Sequence, residues 1–195
     1  ALAAFKGFKG YPASVCISIN EEIVHGIPGP RVIAAGDIVS LDLGINYKGY
    51  FSDAAITVAV GEIDPRGKKL IDVTRKALFV GVAQAESGNR LFDISHAIQS
   101  FVERNGFSVV RQFVGHGIGI SLHEEPEIPN FGQPHKGPLL KNGMVLAIEP
   151  MVNEGSWESQ LTENGWTAVT KDGKRSAHFE HTVALTAKGP EILTA

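Results

Sequence analysis

The chain has 195 residues, 43% of them hydrophobic, with a formal charge of -3 and a pI near 6.2. That suits one large domain or two intimately packed halves with a full core. No polybasic face or acidic tail is present to carry duplex binding, so nucleic acid is not an expected partner. The single cysteine, Cys16, excludes an internal disulfide framework and fits a reducing compartment. No apolar run reaches transmembrane length, and ALAAFKGFKG is too short and too broken by Gly and Lys for a signal peptide. No membrane association is expected, and the expected location is cytoplasmic. The start on ALAAF, without Met, raises the expectation of a trimmed or processed chain in which a first strand partner is missing.

In chain order, GDIVSLDLGI from Gly36 reads as a strand, NYKG as a turn and YFSDAAITVAV as a returning strand. Period-2 geometry puts Asp53, Ala55, Thr57 and Ala59 on one face of that hairpin and Ile56, Val58 and Val60 on the other. Asp64-Pro65 supplies a cap and an N1 proline for a helix running through KKLIDVTRKALFVGVAQA toward Gly88. A second helix reads as capped by Asp93, with Ile94, Ala97, Ile98, Phe101 and Val102 on one stripe, and ends at Gly106. The two helices are expected to cover a sheet. FSVVRQFV reads as a strand, and GHGIGISLHEEPEIPNFGQPHKG as a loop too irregular for a regular element. GMVLAIEPMV is the next strand, Glu163-Asn164-Gly165 and Lys171-Asp172-Gly173 mark hairpin turns, and HFEHTVALTA is the last strand.

Two stretches echo each other. AAGDIVSLDLG (34–44) and LKNGMVLAIEP (140–150) both place a Gly six residues before a carboxylate that ends a hydrophobic strand, Asp42 or Glu149. SDAAITVAVG (52–61) likewise parallels FEHTVALTAKG (179–189). Asp42, Asp53, Glu149 and Glu180 thus hold equivalent places in two halves, approximately 1–106 and 107–195, and pseudo-twofold packing would bring them together.

Four acids converging among apolar strands repel one another unless cations balance them. Two divalent ions supply the matching charge. Oxygen ligands with one imidazole suit Mn, Fe, Co, Zn or Ni, and carboxylates bridge ions about 3.5–4 Å apart. The imidazole is expected from GHGIGISLHEE, which holds His116 between glycines and His123 seven residues on; His25, beside Gly26, is a third candidate. Taken singly, each histidine reads as well as a structural group, and each acid as a strand end beside water. The recurring Gly-to-acid spacing is what separates the two readings. His96 and His135 read as ordinary surface groups, Glu124, Glu125 and Glu127 as a solvated rim, and strand alternation is expected to turn His178 and His181 away from the face of Glu180.

The motifs YPASVCISINEEIVHGIP, GDIVSLDLG, SDAAIT, VGHGIGISLHEEP, GMVLAIEPM, GWTAVT and HFEHT together resemble those of bacterial type I methionine aminopeptidases, across essentially the whole chain. The resemblance implies the α/β (α+β) pita-bread fold, a pseudosymmetric curved antiparallel sheet covered by helices. It implies two divalent ions, with Asp42 bidentate on one, Asp53 and Glu180 bridging, and His116 and Glu149 completing the other. It further implies removal of the initiator Met from nascent chains with a small second residue, by a hydroxide held between the ions. In that scheme Glu149 handles protons, His123 hydrogen-bonds the developing oxyanion and His25 holds the substrate backbone and scissile nitrogen.

The same resemblance places Phe5, Phe8, Tyr11, Cys16, Phe113, Leu122 and Trp166 around the Met side chain, where composition alone reads the aromatics as core. Phe5 departs from the small cysteine found there in some members. A further segment upstream of Phe5, a monomeric state and transient ribosome association are also expected on this ground. Prolidases share the fold and ligand set but differ in histidine surroundings and usually carry an extra N-terminal domain. Inactive pita-bread binding modules lose ligands, whereas all five positions are intact here.

Overall fold

The computed structural model describes all 195 residues, Ala1–Ala195. Three short strands, β1 (Leu2–Ala3), β2 (Cys16–Ile19) and β3 (Glu22–Val24), precede the longest ribbon, β4 (Ile38–Tyr47) and β5 (Tyr50–Ala59). Ser40 and Thr57 meet across the ribbon, their hydroxyl oxygens 2.8 Å apart. Helix α1 (Pro65–Val82) starts where Asp64 Oδ1 accepts from the backbone N–H of Arg66 at 2.9 Å and of Gly67 at 3.2 Å.

Helix α2 (Leu91–Arg104) begins two residues before the expected cap. Asp93 lies inside its first turn and reaches back to accept from Arg90 N–H at 2.8 Å, a capping box that an Asp in this position serves as well as a cap would. The helices approach closely at Gly81, where an added Cβ would lie 2.7 Å from Ile98 Cδ1.

The second half is more broken than its sequence suggests. FSVVRQFV contributes only β6 (Ser108–Val109). The Gly-rich stretch expected to be an irregular loop contains β7 (Gly115–Gly117) and β8 (Glu124–Ile128), because β7 is held by pairing with β9 (Val145–Ile148) and not by its own propensity. Glu149-Pro150 interrupts GMVLAIEPMV, so β10 (Met151–Asn153) joins a different sheet. The hairpin β11 (Ser159–Leu161) and β12 (Ala168–Thr170) follows the expected turn. The last strand divides into β13 (Ser176–His178) and β14 (Glu180–Thr186), and β15 (Gly189–Ile192) folds back on β14.

Nine strands form the main sheet, in the order β1-β4-β5-β14-β9-β7-β8, with β2 on β4 and β15 on β14. The echoed strands sit at matching places about the central β5–β14 pair. Alternation assigns the two faces: Leu146, Ile148, Val183 and Leu185 pack with Leu70, Val73, Ala77, Ile94 and Ile98 of the helices. The opposite face carries Ala147 with Phe5, Tyr11, Cys16, Ile118 and Leu122. No helix is long and apolar enough to cross a membrane.

Candidate metal centre and adjoining pocket

Sheet register builds the site. Asp42 on β4 lies opposite Ala55 on β5, and Ala55 lies opposite Glu180 on β14, so both acids flank one small side chain on the inner face. Asp53, two residues before Ala55, is the diagonal neighbour of Asp42. Across the halves, Thr182 Oγ1 accepts from Asp53 N–H and donates to Asp53 O, both at 2.8 Å, which locks β5 to β14. His116 on β7 lies opposite Ala147, two residues before Glu149, and its Nε2 stands 3.6 Å from Glu149 Oε1. Asn130 Nδ2 donates to Glu149 O at 3.0 Å and steadies the broken strand end.

The acids are buried: Asp42 is 8% exposed, Asp53 4% and Glu180 2%. Asp42 Oδ1 and Glu180 Oε1 have no hydrogen-bond partner, which a buried carboxylate tolerates when a cation is its intended neighbour. Donor atoms of Asp53, His116 and Glu180 lie within 4.8 Å of one another, as do those of Glu149, His178 and Glu180. The donor set of carboxylates and imidazole fits a divalent first-row metal.

Electrostatics agree. Desolvation raises Asp42 to about 6, with His178 opposing and Glu149 adding to the shift. Glu149 is raised to about 7 by desolvation, against the pull of His116. Asp53 and Glu180 stand well above the ordinary carboxylate range, again first through desolvation and then through mutual repulsion. Without cations this site holds protons, and a divalent ion would displace them.

A cavity of about 170 Å³ opens onto the acids. An apolar cavity of about 150 Å³ already admits benzene, so this one has room for a thioether side chain. Phe5, Phe8, Tyr11, Cys16, Leu122 and Trp166 line it beside His25 and His123, with Lys9 as a lining residue that sequence reading missed. Tyr11 packs edge-on against Phe5 at 6.5 Å and Trp166 at 5.1 Å, and its hydroxyl donates to Gly26 O at 2.8 Å. Burial, then Cys16, pushes the Tyr11 phenol far up, and burial, then Asp42, does the same to the Cys16 thiol, so both are neutral walls. Phe5 lies directly over Gly44, where a Cβ would sit 2.6 Å from its ring.

His123 stands at the cavity mouth, stacked on Phe8 at 5.2 Å and 4.2 Å from the His116 ring. Desolvation, then His116 and Lys9, lowers its pKa to about 4; desolvation, then His178, lowers His25 likewise to about 4. Both are neutral at pH 7. His25 has φ 59, a left-handed backbone rare outside Gly and found at functional positions.

Two expectations need correction. Phe113 does not line the cavity; it packs edge-on behind His25 at 5.6 Å. His178 does not turn away from Glu180: two residues apart is one full strand period, and its Nε2 stands 3.3 Å from Glu149 Oε2. His181, one residue on, does face away and meets Thr194 Oγ1 at 2.9 Å.

Comparison with known proteins decides the family. The model for metallopeptidase family M24 matches residues 3–187. "Methionine aminopeptidase 1" of Bacillus subtilis is 55% identical over 194 residues, covering 100% of this chain and 78% of that protein. The chain belongs to metallopeptidase family M24, in its methionine aminopeptidase branch. "Methionine aminopeptidase" of Clostridium perfringens is 56% identical over the same span. The crystal structure of methionine aminopeptidase from Thermotoga maritima matches with TM-score 0.98 and 54% identity, over 99% of this chain and 78% of that one. The fold is therefore the pita-bread α+β fold of that family. Prolidase from Pyrococcus furiosus matches with TM-score 0.75 at 24% identity and over 48% of its chain, a likeness of fold alone. The enzyme class is a metallopeptidase hydrolase acting on N-terminal methionine.

Proposed function

We propose that this chain removes the N-terminal Met from polypeptides whose second residue is small, using two divalent ions held by Asp42, Asp53, His116, Glu149 and Glu180. The observation that carries it is the convergence of four raised-pKa carboxylates and one imidazole at the floor of an aromatic, thioether-sized cavity. Co, Mn, Fe, Zn and Ni all suit these donors. The ions, when bound, supply Lewis acidity toward the scissile carbonyl and water of lowered pKa.

The chain's own residues do the rest. Phe5, Phe8, Tyr11, Cys16, Leu122 and Trp166 take the Met side chain, and sulfur against ring edges favours a thioether over an isosteric alkyl group. Glu149, a carboxylate that faces the cavity beside His116, is placed to accept a proton and return one to the leaving amine. His123, neutral, offers an N–H to the oxygen on which charge develops. His25 on its strained backbone holds the scissile nitrogen. The small-second-residue rule comes with the family resemblance. A monomer in the cytoplasm, meeting nascent chains and in passing the ribosome, belongs to the same proposal, as does one catalytic domain whose halves meet near residue 106.

The test is Met release from Met-Gly-X and Met-Lys-X peptides by chelator-treated protein with Co, Mn, Fe(II) or Zn restored. Metal-dependent release from the Gly peptide alone supports the reading. Release without metal, or equal release from both peptides, contradicts it.

A further inference from the structure

His178 is a side chain that the roles above leave unused. It is buried to 1% exposure at the end of β13. Its backbone is clamped from the opposite half: Thr57 Oγ1 donates to His178 O and accepts from His178 N–H, both at 2.8 Å. Thr57 is held in turn by Ser40, at 2.8 Å between hydroxyl oxygens. The ring is thus delivered to a set place by the β4–β5 ribbon. There its Nε2 lies 3.3 Å from Glu149 Oε2, while His116 Nε2 lies 3.6 Å from Glu149 Oε1.

Two imidazoles therefore address the two oxygens of one carboxylate. Once Glu149 is ionised, as it would be beside bound cations, a ring nitrogen facing its oxygen at that distance presents an N–H, because two lone pairs would repel. Nε2 has no other partner, and the contact is not yet aligned as a formed hydrogen bond. The terminal torsion of Glu is soft, so a small rotation of the carboxylate lines Oε2 up on the N–H. With its proton on Nε2, His178 cannot ligate an ion through that atom.

We propose that His178 is a positioning residue: its Nε2–H holds Glu149 Oε2 so that Oε1 stays aimed at the ion shared with His116. The inference rests on the metal-centre reading above. Holding one oxygen removes the option of a bidentate or swung-out Glu149, so the effect falls on one of the two ions and on the proton-handling group together.

The test compares His178→Gln with His178→Met. The two replacements have similar length and volume, and only Gln offers an N–H donor. Chelator-treated wild type and both variants are titrated with Mn(II) by calorimetry, and kcat and KM are measured separately on a Met-Gly-X peptide. Two sites are expected in wild type. H178M weakens one of them by about 10-fold or more and lowers kcat with KM unchanged; H178Q restores both. Should H178M not fold, H178A serves in its place. Wild-type affinity at both sites in H178M, or H178Q failing as fully as H178M, overturns the positioning role. Wild type that binds no Mn(II) would instead defeat the metal-centre reading itself.

Discussion

The two faces of the β4–β5 ribbon reverse the usual pattern. Its inner face carries Ser40, Asp42, Asp53 and Thr57, all buried, while Leu43, Ile56 and Val58 of its outer face are 43%, 47% and 38% exposed. In β14 and β9 the outer face is apolar and covered by the helices. Hydrophobic burial explains the second pair of strands but not the first, where apolar side chains stay in water and carboxylates leave it. Such an arrangement persists only if something inside rewards the charges, which is what the proposed divalent cations would do.

Removing an inner-face charge should have the largest effect. Asp53→Asn and Glu180→Gln are each expected to lower turnover by more than about 100-fold and to lose bound metal, because a ligand matters more than the groups that merely orient one. Elemental analysis beside the peptide assay checks both. His123→Ala, next in size, should cost about 100-fold in kcat with metal content unchanged; loss of metal would place His123 among the ligands.

The raised carboxylates imply a pH effect in the chelated protein. Unfolded histidines are half protonated at about pH 6.5 and about 90% neutral by pH 7.5, so above about pH 7.5 the buried acids decide the sign. Their folded pKa values, about 6 for Asp42, about 7 for Glu149 and higher for Asp53 and Glu180, exceed the unfolded ones. The folded state then binds the more protons, and stability falls as pH rises through that range. Thermal melts in chelator should shift down between pH 7.5 and 9, and added Mn(II) should abolish the shift. On the outer face the smallest effect is expected: Ile56→Thr should leave turnover unchanged and stability within about 0.5 kcal/mol, by chemical denaturation.

Much of this site was legible because β geometry is periodic. The equal Gly-to-acid spacing in two stretches located Asp42 and Glu149, the parallel between the strands that follow located Asp53 and Glu180, and the Ala and Thr residues beside Asp53 marked the inner face. Failures came where tertiary contact overrides local pattern. Gly115 and Gly117 read as loop flexibility, yet both are glycines because β9 and β8 backbone carbonyls occupy the space of a Cβ. His178 was misplaced although its two-residue spacing from Glu180 pointed inward. Phe113 packs edge-on against His25 and not along the cavity, a distinction that composition does not reveal. The start of α2 was displaced because Asp93 caps from within the first turn.

The most direct measurement is anomalous diffraction from crystals of the chelator-treated protein soaked in Mn(II). Two peaks are expected, among the side chains of Asp42, Asp53, His116, Glu149 and Glu180, with Asp53 and Glu180 touching both. No peak at these residues, or peaks confined to the surface, would contradict the claim that the buried acids exist to hold a metal pair.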